Sequence, residues 1–279
     1  KKTPMSVIEP SIIKTISREE SEQKAAEESS SVSEVTIDEA ASIAEMIEQI
    51  DYLFNRVNEK AFKKLFESGT MRSLFENSSL RDVVIMRLKI RRLSDLMLHV
   101  RNPLLYLDFL LHFNETARKI IIDNYGVFES YTGKGMTGFF PDFYSGPDAI
   151  NFAVKTAQEC QDFFTSHYRK HRDSFTTVLE DVGLCVGIDF GKANIIKVGE
   201  ELTAIGKPVV YASKMANGKA GEILLNQSAL DELNMRSSEG FSSDETYVFA
   251  GEQDRILAYN ITIDSEILQP DPPDWDTLV

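Results

Sequence analysis

The order of strand-like and helix-like segments constrains the fold of this chain more than any other feature. Between Leu80 and Asp264, short apolar runs rich in β-branched residues alternate with longer segments whose apolar residues recur every three or four positions. Their order is β-α-ββ-α-ββ-α-β-α-ββ. This order predicts an α/β (α+β) domain with one mixed sheet and helices on one side of it.

The same periodicities place the individual elements. Strands are predicted around 83–86, 125–140 (a hairpin), 182–190, 193–198, 222–226, 247–250 and 256–263, and helices over 104–124, 148–171, 208–215 and 227–233. Residues 193–198 are expected to pair back onto 182–190 through a turn at Gly191. The buried stripe of the helix 104–124 is predicted to comprise Leu107, Leu110, Leu111, Phe113, Ala117, Ile120 and Ile121.

The flanking regions differ in composition from this domain. Residues 1–35 are polar and acidic and are expected to form a flexible tail. Residues 36–79 follow a helical pattern that begins at Thr36 and has a helix end at Ser68–Gly69. Residues 265–279 form an acidic, proline-rich tail.

The helical pattern over 36–79 allows two interpretations. Its apolar residues lie close to a heptad seam, at Ile43, Ile47, Ile50, Phe54, Val57, Ala61 and Leu65. A seam of this length is compatible with a parallel coiled coil that pairs two chains, and equally with a long amphipathic helix lying on its own domain.

Composition narrows the class of protein. A net charge of −14 argues against nucleic acid as a partner, because phosphate binding needs a basic surface. No run of about 18 apolar residues appears, so no membrane span is expected, and the first residues lack the apolar core of a signal peptide. Cys160 and Cys185 form no metal motif and are expected in the core of a cytoplasmic protein.

The hairpin over 125–140 has a tight turn, Thr132-Gly-Lys-Gly135. It resembles the metal-site hairpin of class III nucleotidyl cyclases, whose turn is Gly-Asp. Three further segments follow the family's order: 83–94, Cys185-Val-Gly-Ile-Asp-Phe-Gly191, and Thr203–Met215 followed by Gly-Glu-Ile-Leu-Leu225. Residues 80–264 therefore resemble a class III adenylyl/guanylyl cyclase catalytic domain, which implies a ferredoxin-type mixed sheet.

The resemblance also implies that this chain lacks the two metal-binding aspartates of the family. The family holds two Mg²⁺ ions with two aspartates, and those positions fall at Lys89 and Lys134. An ammonium group repels a divalent cation, so neither a metal nor two-metal phosphoryl chemistry is expected, and no cofactor is predicted.

Most of the family's other functional positions are changed as well. The lysine that reads the base falls at Ser130, and its acidic or polar partner falls at Thr203. The asparagine that orients the ribose falls at Val210, and the arginine that stabilises the transition state falls at Lys214. A late phosphate-binding lysine falls near Glu252.

Three hypotheses for the function follow from the resemblance. The leading one is a catalytically inactive cyclase-homology domain that acts as a regulatory or dimerisation module in intracellular signalling, as a homodimer or paired with a catalytic cyclase. The second is a nucleotide or anion sensor in which Lys89, Lys134 and Lys214 replace the metals, beside Ser130 and Thr203. The third is a divergent active cyclase completed by a partner subunit.

Other polar residues offer weaker candidates for metal binding. Asp95, Asp142 and Asp189 are near the changed positions in sequence, but the simpler interpretation is that each faces water. His167 and His171 have helical spacing for a metal pair, yet no third ligand accompanies them.

Overall fold

The structure is a computed structural model that describes residues 50–77, 79–133, 135–249, 255–264 and 266–278. In this part of the chain eight strands form one sheet: β1 (Leu80–Arg91), β2 (Val127–Thr132), β3 (Gly135–Pro141), β4 (Gly183–Val198), β5 (Glu201–Gly206), β6 (Ile223–Leu225), β7 (Phe241–Phe249) and β8 (Arg255–Ile263). The α-helices are α1 (Glu59–Glu67), α2 (Gly69–Glu76), α3 (Leu93–Leu98), α4 (Pro103–Asp123), α5 (Asp142–Ser145), α6 (Ala149–Lys170), α7 (Lys207–Met215), α8 (Gln227–Arg236) and α9 (Trp275–Leu278). The predicted mixed α/β fold is confirmed, but the strands predicted at 182–190 and 193–198 are the single strand β4, and β5 was not predicted.

The sheet has the order β2-β3-β1-β4-β6-β8-β7, and β5 extends it by pairing with β4. All of these pairs are antiparallel except β4 with β6. The long central pair β1–β4 therefore holds the sheet together, with the β2–β3 hairpin on one side and the β7–β8 hairpin at the far edge.

One predicted turn is wrong. β4 continues through Gly191, which pairs with Val83 in the ladder to β1. The second half of β4 pairs with β5, and that hairpin turns at Gly199, where a φ of 63° favours glycine. Pairing with β1 keeps the strand extended at Gly191, and local sequence carries no sign of such long-range pairing.

Helices cover both faces of the sheet, so the prediction of helices on one side is also wrong. Side chains alternate along a strand, and the run Val83-Val-Ile-Met86 is apolar at every position. Val84 and Met86 pack in one cluster with α4, α6 and α8. Val83 and Ile85 pack in a second cluster with α1, α2 and α5. A continuously apolar strand needs cover on both faces.

Four of the five described residues of the heptad-like seam are buried in their own domain, and the fifth, Phe54, is 39% exposed. Asp51–Leu53 is a 3₁₀ turn, and α1 starts only at Glu59. Asn58 caps this helix, because its side chain accepts a hydrogen bond from the backbone N–H of Lys60. Ile50, Val57, Ala61 and Leu65 are buried. The single long helix predicted for this segment is thus interrupted, although its end at Ser68 is confirmed. Residues 1–49, with the predicted tail, Thr36, Ile43 and Ile47, lie outside the described residues.

The helix predicted over 104–124 is confirmed as α4, but its buried stripe is shifted. Phe109, Phe113, Ala117 and Ile121 are buried, whereas Leu107 and Leu111 are about half exposed. Leucines lie on both sides of the phenylalanines, so apolar spacing alone could not fix the phase of the stripe. Within the described residues, no helix is long and apolar enough to cross a membrane.

Candidate functional site

The end of β1 and the β2–β3 hairpin meet in the sheet. Lys89 pairs with Gly135 on one side and with Cys185 on the other. Thr132 pairs with Gly135 across the hairpin, as the predicted turn requires. A side chain at Gly135 would place its Cβ 1.8 Å from the carbonyl oxygen of Leu88. Glycine is therefore required for this close approach. Lys134 itself lies outside the described residues.

The Lys89 side chain reaches across to the end of α7. Its Nζ donates to the backbone carbonyl of Ser213 at 3.1 Å and to Oδ1 of Asn217 at 2.8 Å. An ammonium group at a helix C-terminus is favoured, because the last carbonyls of a helix lack backbone partners and carry partial negative charge. Lys89 therefore joins β1 to α7.

A glycine brings α7 close enough for that contact. A Cβ on Gly187 of β4 would lie 2.2 Å from the carbonyl oxygen of Ala212 and 2.4 Å from the backbone nitrogen of Ala216. Only a residue without a side chain lets the helix backbone lie this close to the strand.

A second cation lies on the same face of β1, two residues before Lys89. The guanidinium of Arg87 donates to the hydroxyls of Thr132 and Thr137 on the hairpin. Burial lowers the pKa of Arg87, and the carboxylate of Glu129 acts in the opposite direction. Two cationic side chains thus alternate with apolar residues along the end of β1, and a divalent cation there would meet their repulsion.

The predicted base-reading position is built around a carboxylate that sequence reasoning missed. A β-bulge between Phe128 and Ser130 directs the buried side chain of Glu129 toward β5. Its Oε1 accepts a hydrogen bond from the Thr203 hydroxyl and another from the backbone N–H of Ala204 at 3.1 Å. Ser130 is half-buried beside it.

The segment before α1 also reaches this position. The guanidinium of Arg56 donates to the carbonyl of Glu129 and forms an ion pair of 2.7 Å with Glu201. The backbone N–H of Phe128 donates to the carbonyl of Arg56 at 2.8 Å. Sequence reasoning could not identify Arg56 as a site residue, because its contact with the carbonyl of Glu129 joins residues that are 73 positions apart in the chain.

The remaining predicted positions lie on α7 or outside the described residues. Val210 is 53% exposed. The ammonium of Lys214 lies 5.6 Å from the ring centre of Tyr211, within the range of a cation–π contact. The structure therefore brings the α7 turn that carries Lys214 beside Lys89, while the Lys214 side chain contacts Tyr211. Glu252 lies outside the described residues.

The three aspartates have separate environments. Asp95 forms an ion pair of 2.7 Å with Arg92, and Asp142 lies at the opposite end of the sheet, after β3. Asp189 is only 2% exposed, so the expectation that it faces water is wrong. Its Oδ1 accepts from the Ser228 hydroxyl and from the backbone N–H of Phe190, both at 2.7 Å, and burial raises its pKa.

No group of three or more potential ligands for a metal occurs among the residues that the structure describes. His167 is buried, with Nε2 2.9 Å from the carbonyl oxygen of Phe109, and His171 contacts the carbonyl of His167. Cys160 and Cys185 are buried and free, as predicted for core cysteines.

Comparison with known proteins identifies the architecture. No family model and no curated protein matches the sequence. Among solved structures, the adenylyl cyclase CyaB from P. aeruginosa matches with a TM-score of 0.57 and 16% identity, over 67% of this chain and 96% of that one. The guanylyl cyclase Cya2 matches with a TM-score of 0.55 and 16% identity, over 68% and 96%. The chain has the class III nucleotidyl cyclase fold.

A bacterial light-regulated adenylyl cyclase shares this cyclase fold, with a TM-score of 0.54 and 13% identity. That match covers 88% of this chain and 69% of the other. At identities this low the likeness shows the fold alone. In this chain, the cyclase fold carries Arg87 and Lys89 at the end of β1, where the sequence resemblance expects a metal-binding carboxylate.

Proposed function

We propose that this protein is a catalytically silent cyclase-fold module with a regulatory or dimerisation role in intracellular signalling. The observation that carries the proposal is the contact of Lys89 with Ser213 and Asn217. At the position that the resemblance assigns to the first metal aspartate, the chain has a cation whose hydrogen bonds join β1 to α7.

The charge at this end of β1 supports the same conclusion. Two-metal catalysis needs oxygen ligands that neutralise the ions and leave room for them. Arg87 and Lys89 offer positive charge instead, and Arg87 is already bonded to two threonine hydroxyls. The exposed Val210 has no group that could orient a ribose by hydrogen bonding.

A partner is part of this proposal. The resemblance to class III cyclases implies head-to-tail pairing, so we infer a second copy of this chain or a catalytic cyclase as the partner, in the cytoplasm. Exposed apolar residues of β5 and α7, among them Ile205, Val210 and Tyr211, would favour such a contact. Light scattering over a range of concentrations tests self-association.

The decisive experiment is an assay for cyclic AMP and cyclic GMP. Purified protein is incubated with ATP or GTP and with Mg²⁺ or Mn²⁺, and the Lys89→Ala variant is treated in parallel. We expect no product above a blank without protein. Product that scales with protein concentration in the wild type would show an active, divergent cyclase and would overturn the proposal.

An anion sensor is a second candidate function, and one observation favours it. Arg87, Lys89 and the turn with Lys214 lie together on an otherwise acidic protein. Calorimetric titration with ATP and GTP in the absence of metal tests it. Saturable binding that weakens in Lys134→Glu and Lys214→Glu would favour the sensor. Absence of binding would exclude the sensor and favour the catalytically silent module.

A further inference from the structure

The side of α4 that faces away from its buried residues carries three exposed leucines. Leu104, Leu107 and Leu111 are 70%, 49% and 50% exposed. Their spacing of three and four residues places them together on one face of the helix. The described part of the chain therefore leaves about half or more of each leucine uncovered.

Further apolar side chains border these leucines. Tyr131 of β2 is 44% exposed, and its hydroxyl donates to the carbonyl of Asn114 in α4 at 3.0 Å. Met97 and Leu98 end α3, just before α4, and are 61% and 80% exposed. Single exposed leucines are common on protein surfaces, but a group of this kind marks an interaction surface. We define the α4 face as Leu104, Leu107, Leu111 and Tyr131.

Three charged residues follow one flank of the α4 face. Arg101, Asp108 and Glu115 are exposed and are spaced seven residues apart, which is about two turns of a helix. Nε of Arg101 donates to the carbonyl of Asp173 at 3.1 Å, and Asp108 lies 4.0 Å from Nε2 of His171. Within the described chain, neither Arg101 nor Glu115 has an ion-pair partner.

These charges help to decide what covers the α4 face. A lipid surface does not fit, because Asp108 and Glu115 would approach the bilayer together with the leucines, and a chain of net charge −14 is repelled by anionic lipids. A protein surface fits better, since it can place a cation beside Glu115 and a carboxylate beside Arg101.

A second copy of the chain provides both of these groups. When two α4 helices pack antiparallel about a two-fold axis beside Leu107, Leu104 of one copy lies opposite Leu111 of the other. The same axis places Arg101 of one copy near Glu115 of the other. Each contact occurs twice, so the α4 face is complementary to itself in shape and in charge.

Asp108 is the unfavourable group in this arrangement. It lies at the middle of the flank, so the carboxylates of the two copies approach each other across the axis. Its side chain is 77% exposed, and water screens the repulsion. Removal of this charge should therefore strengthen the contact between the copies.

We propose that the α4 face is a self-association surface, on which a second copy of this chain packs through its own α4. The proposal names a surface for the dimerisation role proposed above and rests on that role. It uses a different surface from β5 and α7, because α4 packs with Val84 and Met86, whereas Ala212 of α7 packs with the other face of the sheet.

Sedimentation equilibrium of the whole chain measures the dissociation constant of the dimer. Leu104→Asp should raise it at least about tenfold, because the carboxylate would be buried against Leu111 of the other copy. Aspartate is favoured in the first turn of a helix, so this variant should fold. Met235→Asp is the matched control, since Met235 is 72% exposed on α8. A monomeric wild type, or equal effects in the two variants, would overturn the proposal.

A charge exchange tests the two-fold arrangement. Arg101→Glu and Glu115→Arg should each weaken the dimer about tenfold, because each replaces two attractive contacts with two repulsive ones. The double variant should regain the affinity of the wild type, and Asp108→Asn should bind more tightly. A double variant as weak as the single ones would overturn the proposal. Circular dichroism melting checks each fold, and Leu104→Asp decides if Arg101→Glu does not fold.

Val210→Asp separates this inference from the proposed function. Val210 is 53% exposed on α7, and its replacement should leave association through α4 unchanged. If Val210→Asp abolishes the dimer and Leu104→Asp does not, the dimerisation role stands and the α4 face is not its surface. The assay for cyclic nucleotides tests catalytic silence independently of both variants.

Discussion

At the residue scale, the Lys89 ammonium has two effects: it repels a divalent cation, and it joins β1 to α7 by hydrogen bonds. Its ammonium donates to Ser213 and Asn217, so replacement by methionine keeps most of the volume and removes both hydrogen bonds. We expect Lys89→Met to lower the free energy of unfolding by about 1.5–3 kcal/mol, the range for hydrogen bonds to charged groups. Urea denaturation followed by circular dichroism measures the change.

Lys119→Met is the matched control for that measurement, because Lys119 is exposed on α4. Its free energy of unfolding should change by less than about 0.5 kcal/mol. If Lys89→Met unfolds at the same urea concentration as Lys119→Met, the contact with α7 does not stabilise the fold.

The sequence predicted part of the candidate site and missed another part for a physical reason. The resemblance to class III cyclases implied that Lys89 lies beside the hairpin turn, and its pairing with Gly135 agrees with this. Glu129 and Arg56 were missed because their roles depend on a β-bulge and on contacts between distant segments. The only available signal was a glutamate directly after two apolar residues of a predicted strand.

At the element scale, α1 and α2 cover the face of the sheet that contains Val83 and Ile85. Phe75 of α2 is fully buried, with ring contacts to Phe143 and Tyr144. Phe75→Ala should therefore lower the free energy of unfolding by about 3–5 kcal/mol. Phe54→Ala is the matched control, because Phe54 is 39% exposed, and it should cost much less. Similar losses in both variants would contradict this account of the packing.

The contact between α4 and α6 makes stability depend on pH. His167 is 2% exposed, stacks on Phe109 and faces His112, His171 and Asp108. Since the Phe109 carbonyl can only accept, Nε2 of His167 donates to it, and Nδ1 is the nitrogen that would gain a proton. Burial, the largest effect, lowers the pKa of His167.

A lowered pKa in the folded state means that the unfolded chain binds the proton more readily. The stabilising effect of neutral His167 is therefore complete above about pH 6.5 and is lost as the pH falls below that value. We expect the urea midpoint to fall between pH 7.5 and pH 5.5, and to fall less in His167→Gln. His99→Gln should behave like the wild type, and an identical fall in His167→Gln would exclude this histidine as the cause.

The predicted elements show the same division between local and long-range signals. The order of strands and helices was predictable because each element has its own period of apolar residues. The phase of the α4 stripe and the continuity of β4 through Gly191 were not, because the packing of α6 against α4 and the pairing of β1 with β4 decide them. The same applies to α1, whose apolar residues Ala61 and Leu65 have the spacing of a coiled coil but pack on their own sheet.

At the scale of the whole molecule, the two larger apolar clusters lie on opposite faces of one sheet, and the C-terminal segment packs against the second of them. Trp275, the only tryptophan, donates from Nε1 to the carbonyl of Tyr144 at 2.8 Å and contacts the rings of Tyr125 and Tyr144. Asp276 forms an ion pair with Lys64 of α1. The C-terminal segment therefore lies beside α1, and both help to cover the sheet face that contains Val83 and Ile85.

This arrangement predicts cooperative unfolding. We expect the fluorescence of Trp275 and the far-ultraviolet circular dichroism to change at the same urea concentration, because loss of the C-terminal segment uncovers part of the cluster that holds α1 and α2 on the sheet. Lys64→Gln should move both signals little, since an exposed ion pair adds little to stability. If the fluorescence changes at a much lower urea concentration than the circular dichroism, the C-terminal segment detaches while the sheet and its helices stay folded.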